Sequence, residues 1–260
     1  VNEEQEMRAL FDAGNITKDP AFTLREEVHE MRTKVQRTLQ QAHELGRRGD
    51  LEGAEVIKGQ ADELIAQLKP MERELAQRDS WLAARLRIGL EWARSASIDD
   101  IEGRIIHGPL LKAAQDFAAN PRCLLFVGPT GCGKSTAVVR AVWGATQRGR
   151  VDLCWASEIE ILQAMKAHPL GSRGEPDIVH HAKRAKLFVL DDLGLGGRDL
   201  DGMIHGIADA RYCAQKITIT TSGLDVAQLV DRYGRSTLRR LTEFRGKPGK
   251  VVSAFGKATP

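Results

Sequence analysis

The chain has 260 residues, 42% of them hydrophobic, with 38 Lys and Arg against 35 Asp and Glu for a formal net charge of +3. That suffices for one α/β domain of ordinary size plus an accessory piece. No apolar run approaches the roughly 20 residues that span a bilayer, and the opening VNEEQEMRAL is acidic where a signal peptide is basic, so a soluble, cytoplasmic protein is expected. The four cysteines (Cys123, Cys132, Cys154, Cys213) are scattered without a CxxC pair, and the seven histidines show no metal spacing, which argues against a zinc site or disulfide framework.

Residues 1–95 show almost no strand signal and form the expected first domain, an all-α hairpin or bundle. Leu24, Val28, Met31, Val35, Leu39, Ala42 and Leu45 recur at helical spacing, as do Ala54, Ile57, Ala61, Leu64, Leu68, Met71 and Leu75. The glycines of GRRGDLEG (46–53) break the pattern between them and predict a turn joining two antiparallel helices. Pro70 is expected to kink or end the second helix near Lys69. A further helix is expected from Trp81 to Arg94. No catalytic constellation occurs here, and stripes this long on so few helices suit a docking module for another protein.

Residues 96–260 form the expected second domain. The apolar run Cys123 to Val127 leads into GPTGCGKS, and the helix-compatible TAVVRAVWGA follows. This is a phosphate-binding loop in its proper context, with glycines at 128, 131 and 133 that let backbone N–H groups turn inward toward an anion. The candidate ATP contacts are Gly128, Pro129, Thr130, Gly131, Cys132, Gly133, Lys134, Ser135 and Thr136. Lys134 would reach the β- and γ-phosphates, and the Ser135 hydroxyl would meet Mg²⁺.

Farther on, LFVLDDLG (187–194) reads as a buried strand ending in two carboxylates. Asp191 would hold the Mg²⁺ shell and nucleotide, and Asp192 would orient or deprotonate the attacking water. A third strand, Ile217 to Thr221, ends in hydroxyls where a γ-phosphate sensor would sit, with Thr221 and Ser222 as candidates.

Charge divides unevenly. Residues 1–95 hold 15 Lys and Arg against 18 Asp and Glu, or −3, which leaves +6 for the remainder. From Val230 onward, Arg232, Arg235, Arg239, Arg240, Arg245, Lys247, Lys250 and Lys257 face two acids. Such a stretch could meet nucleic-acid phosphates or supply an arginine to a neighbouring subunit's ATP.

The succession GPTGCGKS, VDLCWASEIEILQAM, AKLFVLDDLG, IADARYCAQKITITTSGL and DRYGRSTLRRL resembles the AAA+ ATPases of the DnaC and IstB group, over roughly residues 100–245. The resemblance implies a P-loop AAA+ domain of the ASCE class, a parallel-sheet α/β ATPase that depends on Mg²⁺. It implies that Arg240, with Arg239 as fallback, acts on ATP of an adjacent subunit, and that Arg211 lies near the nucleotide or a subunit interface. It also implies partners: a replicative hexameric helicase gripped by the N-terminal helices, single-stranded DNA, and ATP-dependent self-association or assembly on an oligomeric partner. The alternatives are an IstB-like transposition helper on duplex DNA and a nucleotide-gated adaptor with little hydrolysis. The sequence departs from the group at Gly223, where members commonly carry Asn, and it has no clear later arginine of the sensor 2 type. These departures imply slow hydrolysis.

Overall fold

The computed structural model describes residues 20–94, 96–149, 151–169, 174–198 and 201–255. The first nineteen residues, residues 170–173 and Lys257 lie outside them. The chain divides into two compact units, Val1–Asp79 and Ser80–Pro260.

In the first unit, α1 (Pro20–Arg47) and the part of α2 (Leu51–Leu86) as far as Asp79 form the hairpin. Gly49 adopts φ +84° in the turn, a conformation glycine takes without a Cβ penalty. The Asp50 carboxylate accepts the Gly53 N–H at 2.9 Å and so caps α2. Leu24, Val28, Val35 and Leu68 are buried together, with Met31, Leu64, Ile65, Met71 and Leu75 packed against them. All of these but Ile65 belong to the predicted stripes, whose Leu39 is 42% exposed.

Two expectations about α2 are corrected. Of the two outcomes expected at Pro70, an end to the helix near Lys69 does not occur: α2 runs through the proline, because the missing bond to the Ala66 carbonyl is offset by Leu68, Met71 and Leu75 in the apolar seam. Nor is Trp81 to Arg94 a separate helix: Trp81–Leu86 complete α2, and a single 3₁₀ turn covers Glu91–Arg94. Ala84, Ile88 and Ala93 belong to the core of the second unit, so the compact division falls at residue 79 where composition suggested 95.

The second unit opens with α3 (Ile98–Gly103) and α4 (Gly108–Ala119). There follow β1 (Leu124–Val127), α5 (Lys134–Thr146), β2 (Leu153–Ser157), α6 (Glu158–Ala167), α7 (Asp177–Arg184) and β3 (Leu187–Leu193). The chain continues through α8 (Asp201–Cys213), β4 (Ile217–Ser222) and α9 (Val226–Thr242). A short antiparallel pair, β5 (Glu243–Phe244) and β6 (Lys247–Pro248), precedes β7 (Lys250–Ser253).

The sheet order is β2-β3-β4-β1-β7, with every pairing parallel. Both faces are covered, which is why the inner strands read as unbroken apolar runs. Leu124, Phe126, Leu153, Trp155, Leu187 and Val189 pack on one face with α4 and α5. Leu125, Val127, Cys154, Ala156, Phe188 and Leu190 face the other way, against α6 to α9. Gly249 lets the last strand dock, since a Cβ there would stand 2.4 Å from the Cys123 carbonyl oxygen.

The registers decide where chemistry can occur. Val127 pairs with Ser222, and Ser222 with Leu193. The carboxyl ends of β1, β4 and β3 are therefore level, with β4 inserted between the strand of the glycine loop and the strand of the acidic pair.

Candidate nucleotide site

The glycine loop is built by backbone geometry. Gly131 and Gly133 have φ of +84° and +91°, where other residues are strained. Gly128 has no room for a side chain, because its Cβ would lie 2.7 Å from that of Ala254. Gly133 is the N-cap of α5 and offers no side-chain acceptor. The first amides of α5 thus remain open to an anion, at the positive end of the helix dipole. Pro129, Thr130 and Gly131 are exposed at the loop crown, while Cys132, Ser135 and Thr136 are half-buried.

Lys134 is 7% exposed, and its Nζ donates to the carbonyls of Gly128 at 2.8 Å and Pro129 at 3.0 Å. An ammonium folded along the loop that it would serve keeps its charge at the carboxyl edge of the sheet.

Asp191 is the centre of the site. It is 5% exposed, and its Oδ1 accepts from Ser135 Oγ at 3.0 Å and from the Thr221 hydroxyl. Burial pushes its carboxyl pKa up; the Thr221 hydroxyl opposes that shift, the nearby Asp192 charge adds to it, and Ser135 opposes it more weakly. Among the described residues no cationic side chain pairs with it. A buried carboxylate met by two hydroxyls and the Asp192 amide, and by no described cationic side chain, is the donor set a hard cation takes, and Mg²⁺ typically keeps waters and phosphate oxygens beside one or two protein ligands. The residues present therefore fit Mg²⁺.

Asp192 follows at φ +54°, a region that Asp tolerates better than most residues. The pairing with β4 shifts between Leu190 and Leu193, so the strand ends in an irregularity that re-aims its acidic residues. The Asp192 N–H donates to Thr221 Oγ1 at 2.9 Å. Thr221 thus bridges the two acids, accepting from one and donating to the other.

Ser222 stands differently. Its hydroxyl is fully buried, donates to the Leu193 carbonyl at 2.5 Å and accepts the Leu224 N–H at 3.0 Å. Of the two hydroxyls at the end of β4, only Thr221 meets the acids. A Cβ at Gly223 would find open space.

The arginines separate into groups. Arg240 Nε donates to Asp209 at 2.6 Å within the same chain, whereas the Arg239 side chain is 60% exposed. Arg232 is only 13% exposed and belongs to an internal cluster, so it is removed from the basic surface. Arg211 is corrected outright. It is 1% exposed and bonds Thr218 Oγ1 and the carbonyls of Ala182, Ala185 and Ile217. Those partners cluster near the amino ends of β3 and β4, the opposite end of the sheet from Asp191. Burial lowers its pKa to about 10.

Sequence reasoning missed two features. The main chain of Ile105 and Ile106 lies against Gly133, within 3.3 Å of where its Cβ would be, and Ile106 is 79% exposed; nothing in the apolar pair itself signals this. Glu158 and Tyr233 also went unmarked, and only their burial identifies them.

Similarity to solved structures agrees with this architecture. The structure of the DnaC helicase loader matches 63% of this chain and 99% of its own, at 19% identity and a TM-score of 0.50. That of DnaI matches 56% and 85% at 20% identity and a TM-score of 0.46. The replication initiator DnaA bound to AMPPCP and single-stranded DNA matches 59% and 48% at 22% identity and 0.46. No family model and no curated protein matches the sequence. No described helix is long and apolar enough to cross a membrane. The level strand ends, the sheet order and the likeness to DnaC together make this an α/β fold of the kind the DnaC helicase loader has, preceded by a long helical hairpin.

Proposed function

We propose that the chain is an ATP-dependent loader of a replicative hexameric helicase. In this reading the helical hairpin grips the helicase, and the α/β unit couples Mg²⁺-ATP and single-stranded DNA to its delivery. The observation that carries the nucleotide half is the convergence of Ser135 and Thr221 on the buried carboxylate of Asp191, beside a helix whose N-terminus no side chain caps.

Each residue then has a task. The loop amides and Lys134 hold the phosphates. Ser135 and Asp191 would hold Mg²⁺, whose contribution is to neutralise charge on the transferred phosphoryl group. Asp192 orients or deprotonates the attacking water. An arginine for a neighbouring subunit's ATP comes more readily from Arg239, which is exposed, than from Arg240, which Asp209 holds. Exposed Arg235, Arg245 and Lys247 suit a salt-sensitive contact with DNA phosphates.

One observation favours a second reading, an ATP-gated adaptor with scant turnover. Gly223 supplies no side-chain amide to position water, and Ser222 is held by the end of β3.

The partner is tested by light scattering on a size-exclusion column, with the full chain, ATP, Mg²⁺ and the replicative helicase of its source. A stable complex is expected. It should be lost when the exposed Leu51 and Val56, at 72% and 63%, are both changed to Asp. Absence of a complex with the unaltered chain contradicts the loader reading and turns attention to duplex DNA.

A further inference from the structure

The turn that follows the acidic pair is held by a buried charge cluster that nucleotide binding does not itself require. Glu158, at the start of α6, is fully buried. Its Oε2 accepts the N–H groups of Gly194 and Gly196, each at 2.8 Å. Its Oε1 accepts the Tyr233 hydroxyl at 2.7 Å and Arg232 Nη2 at 3.1 Å.

Arg232 grips the other side of the same turn. It donates to the carbonyls of Gly194 at 2.7 Å, Gly196 at 2.6 Å and Gly197 at 3.2 Å, and to Asp201 at 3.2 Å. The Ser222 hydroxyl holds the carbonyl of Leu193. The main chain just after Asp192 is therefore fastened from β4, α6 and α9.

Packing alone does not call for this. A buried ion pair is at best a modest source of stability, and apolar residues of similar volume often serve as well. What the cluster does achieve is a single conformation for the turn. Gly196 has no space for a Cβ, which would stand 2.8 Å from the Glu158 carboxyl carbon, and one on Gly194 would stand 2.6 Å from Leu224 Cδ1. Asp192 itself occupies a sparsely populated backbone region, which persists where the surroundings over-determine it.

We infer that Glu158 is a positioning residue for the acidic pair: by fixing the main chain of Gly194 to Gly197, with Arg232 and Tyr233 as its partners, it sets where Asp192 stands for attack on the γ-phosphate. This rests on the ATPase reading above. It also joins that turn to α9, whose second half, beyond the break at Gly234 (φ 79°, ψ 152°), bears Arg239 and Arg240.

The test uses the full chain and its Glu158→Gln variant, which keeps shape and an acceptor but removes the charge. Three quantities are measured: ATP turnover, affinity for a fluorescent ATP analogue with Mg²⁺, and amide hydrogen exchange. Turnover should fall about tenfold or more, as small misplacements of reacting groups do, with affinity unchanged within about twofold. Exchange should quicken over residues 193–197 while β1 and α5 stay protected. Unchanged turnover, or lower turnover without faster exchange in the turn, overturns the role. So does a joint loss of turnover and affinity with exchange rising across the whole sheet. An unaltered chain that binds ATP without hydrolysing it also overturns the positioning role, whereas one that binds no ATP overturns the nucleotide reading beneath it. Should Glu158→Gln fail to fold, Tyr233→Phe, which removes one hydroxyl from the cluster, carries the same comparison in milder form.

Discussion

Asp191 illustrates how much a single side chain can carry. Its burial is unfavourable for the free protein, and a cation is the natural remedy. Because its carboxyl pKa lies above the ordinary 3.8, the folded state holds the proton more tightly than the unfolded chain. Stability is then fullest at low pH and declines as pH rises through that interval. Asn cannot ionise, so Asp191→Asn should melt higher than the parent near pH 7 in Mg²⁺-free buffer, with the gap closing as pH falls toward the ordinary carboxylate range. The same variant should lose the Mg²⁺ dependence of nucleotide binding. A melting point below the parent's at pH 7 would show that burial of the charge is not the governing cost. The placement of Lys134, Ser135 and Asp191 at the carboxyl edge of the sheet was legible in the sequence, because a glycine-spaced loop between an apolar strand and a helix, and a buried strand ending in acids, each set those residues just where a strand ends. Arg211 was misread because an arginine that ties carbonyls in a core has the same letter as one that meets a phosphate. Glu158 was invisible, since its meaning comes from burial and from a partner, Arg232, that lies 74 residues away.

At the scale of elements, periodicity was the reliable guide. The two N-terminal stripes foretold α1 and α2 and most of their seam, and the glycines of residues 46–53 foretold where they join. Local breakers were weaker guides. Pro70 sits on an exposed face of a continuous α2, where it loses a backbone bond without gaining a contact. Pro70→Ala should therefore stabilise the hairpin by about 1–3 kcal/mol, read as a higher urea midpoint with unchanged slope; an unchanged or lower midpoint would mean that the ring is packed to advantage. Gly234 went the other way. Nothing in DRYGRSTLRRL reveals that the helix breaks there, because a glycine inside a helical pattern is usually tolerated.

On the scale of the whole molecule, parallel pairing covered on both faces puts every chemical group of interest at one edge of the sheet. The order of motifs along the chain anticipated this edge, since a strand ending in a glycine loop, one ending in acids and one ending in hydroxyls can serve a common ligand only if their carboxyl ends align. The strand order itself, with β4 between β1 and β3, could not be read from composition or spacing, because it depends on which long-range pairings win. The placement of residues 80–95 was equally hidden, as their apolar positions continue a helical stripe yet belong to the core of the α/β unit.

Every role proposed for this chain depends on a nucleotide site formed by the glycine loop, Lys134 and Asp191. The most direct measurement is equilibrium titration of the full chain with a fluorescent ATP analogue and Mg²⁺, beside Lys134→Ala. Removing a buried charge that faces a phosphate costs about 2–5 kcal/mol, so saturable binding is expected of the parent and a loss of about thirtyfold or more of the variant. Equal affinities for the two proteins, or no binding by either, would contradict it.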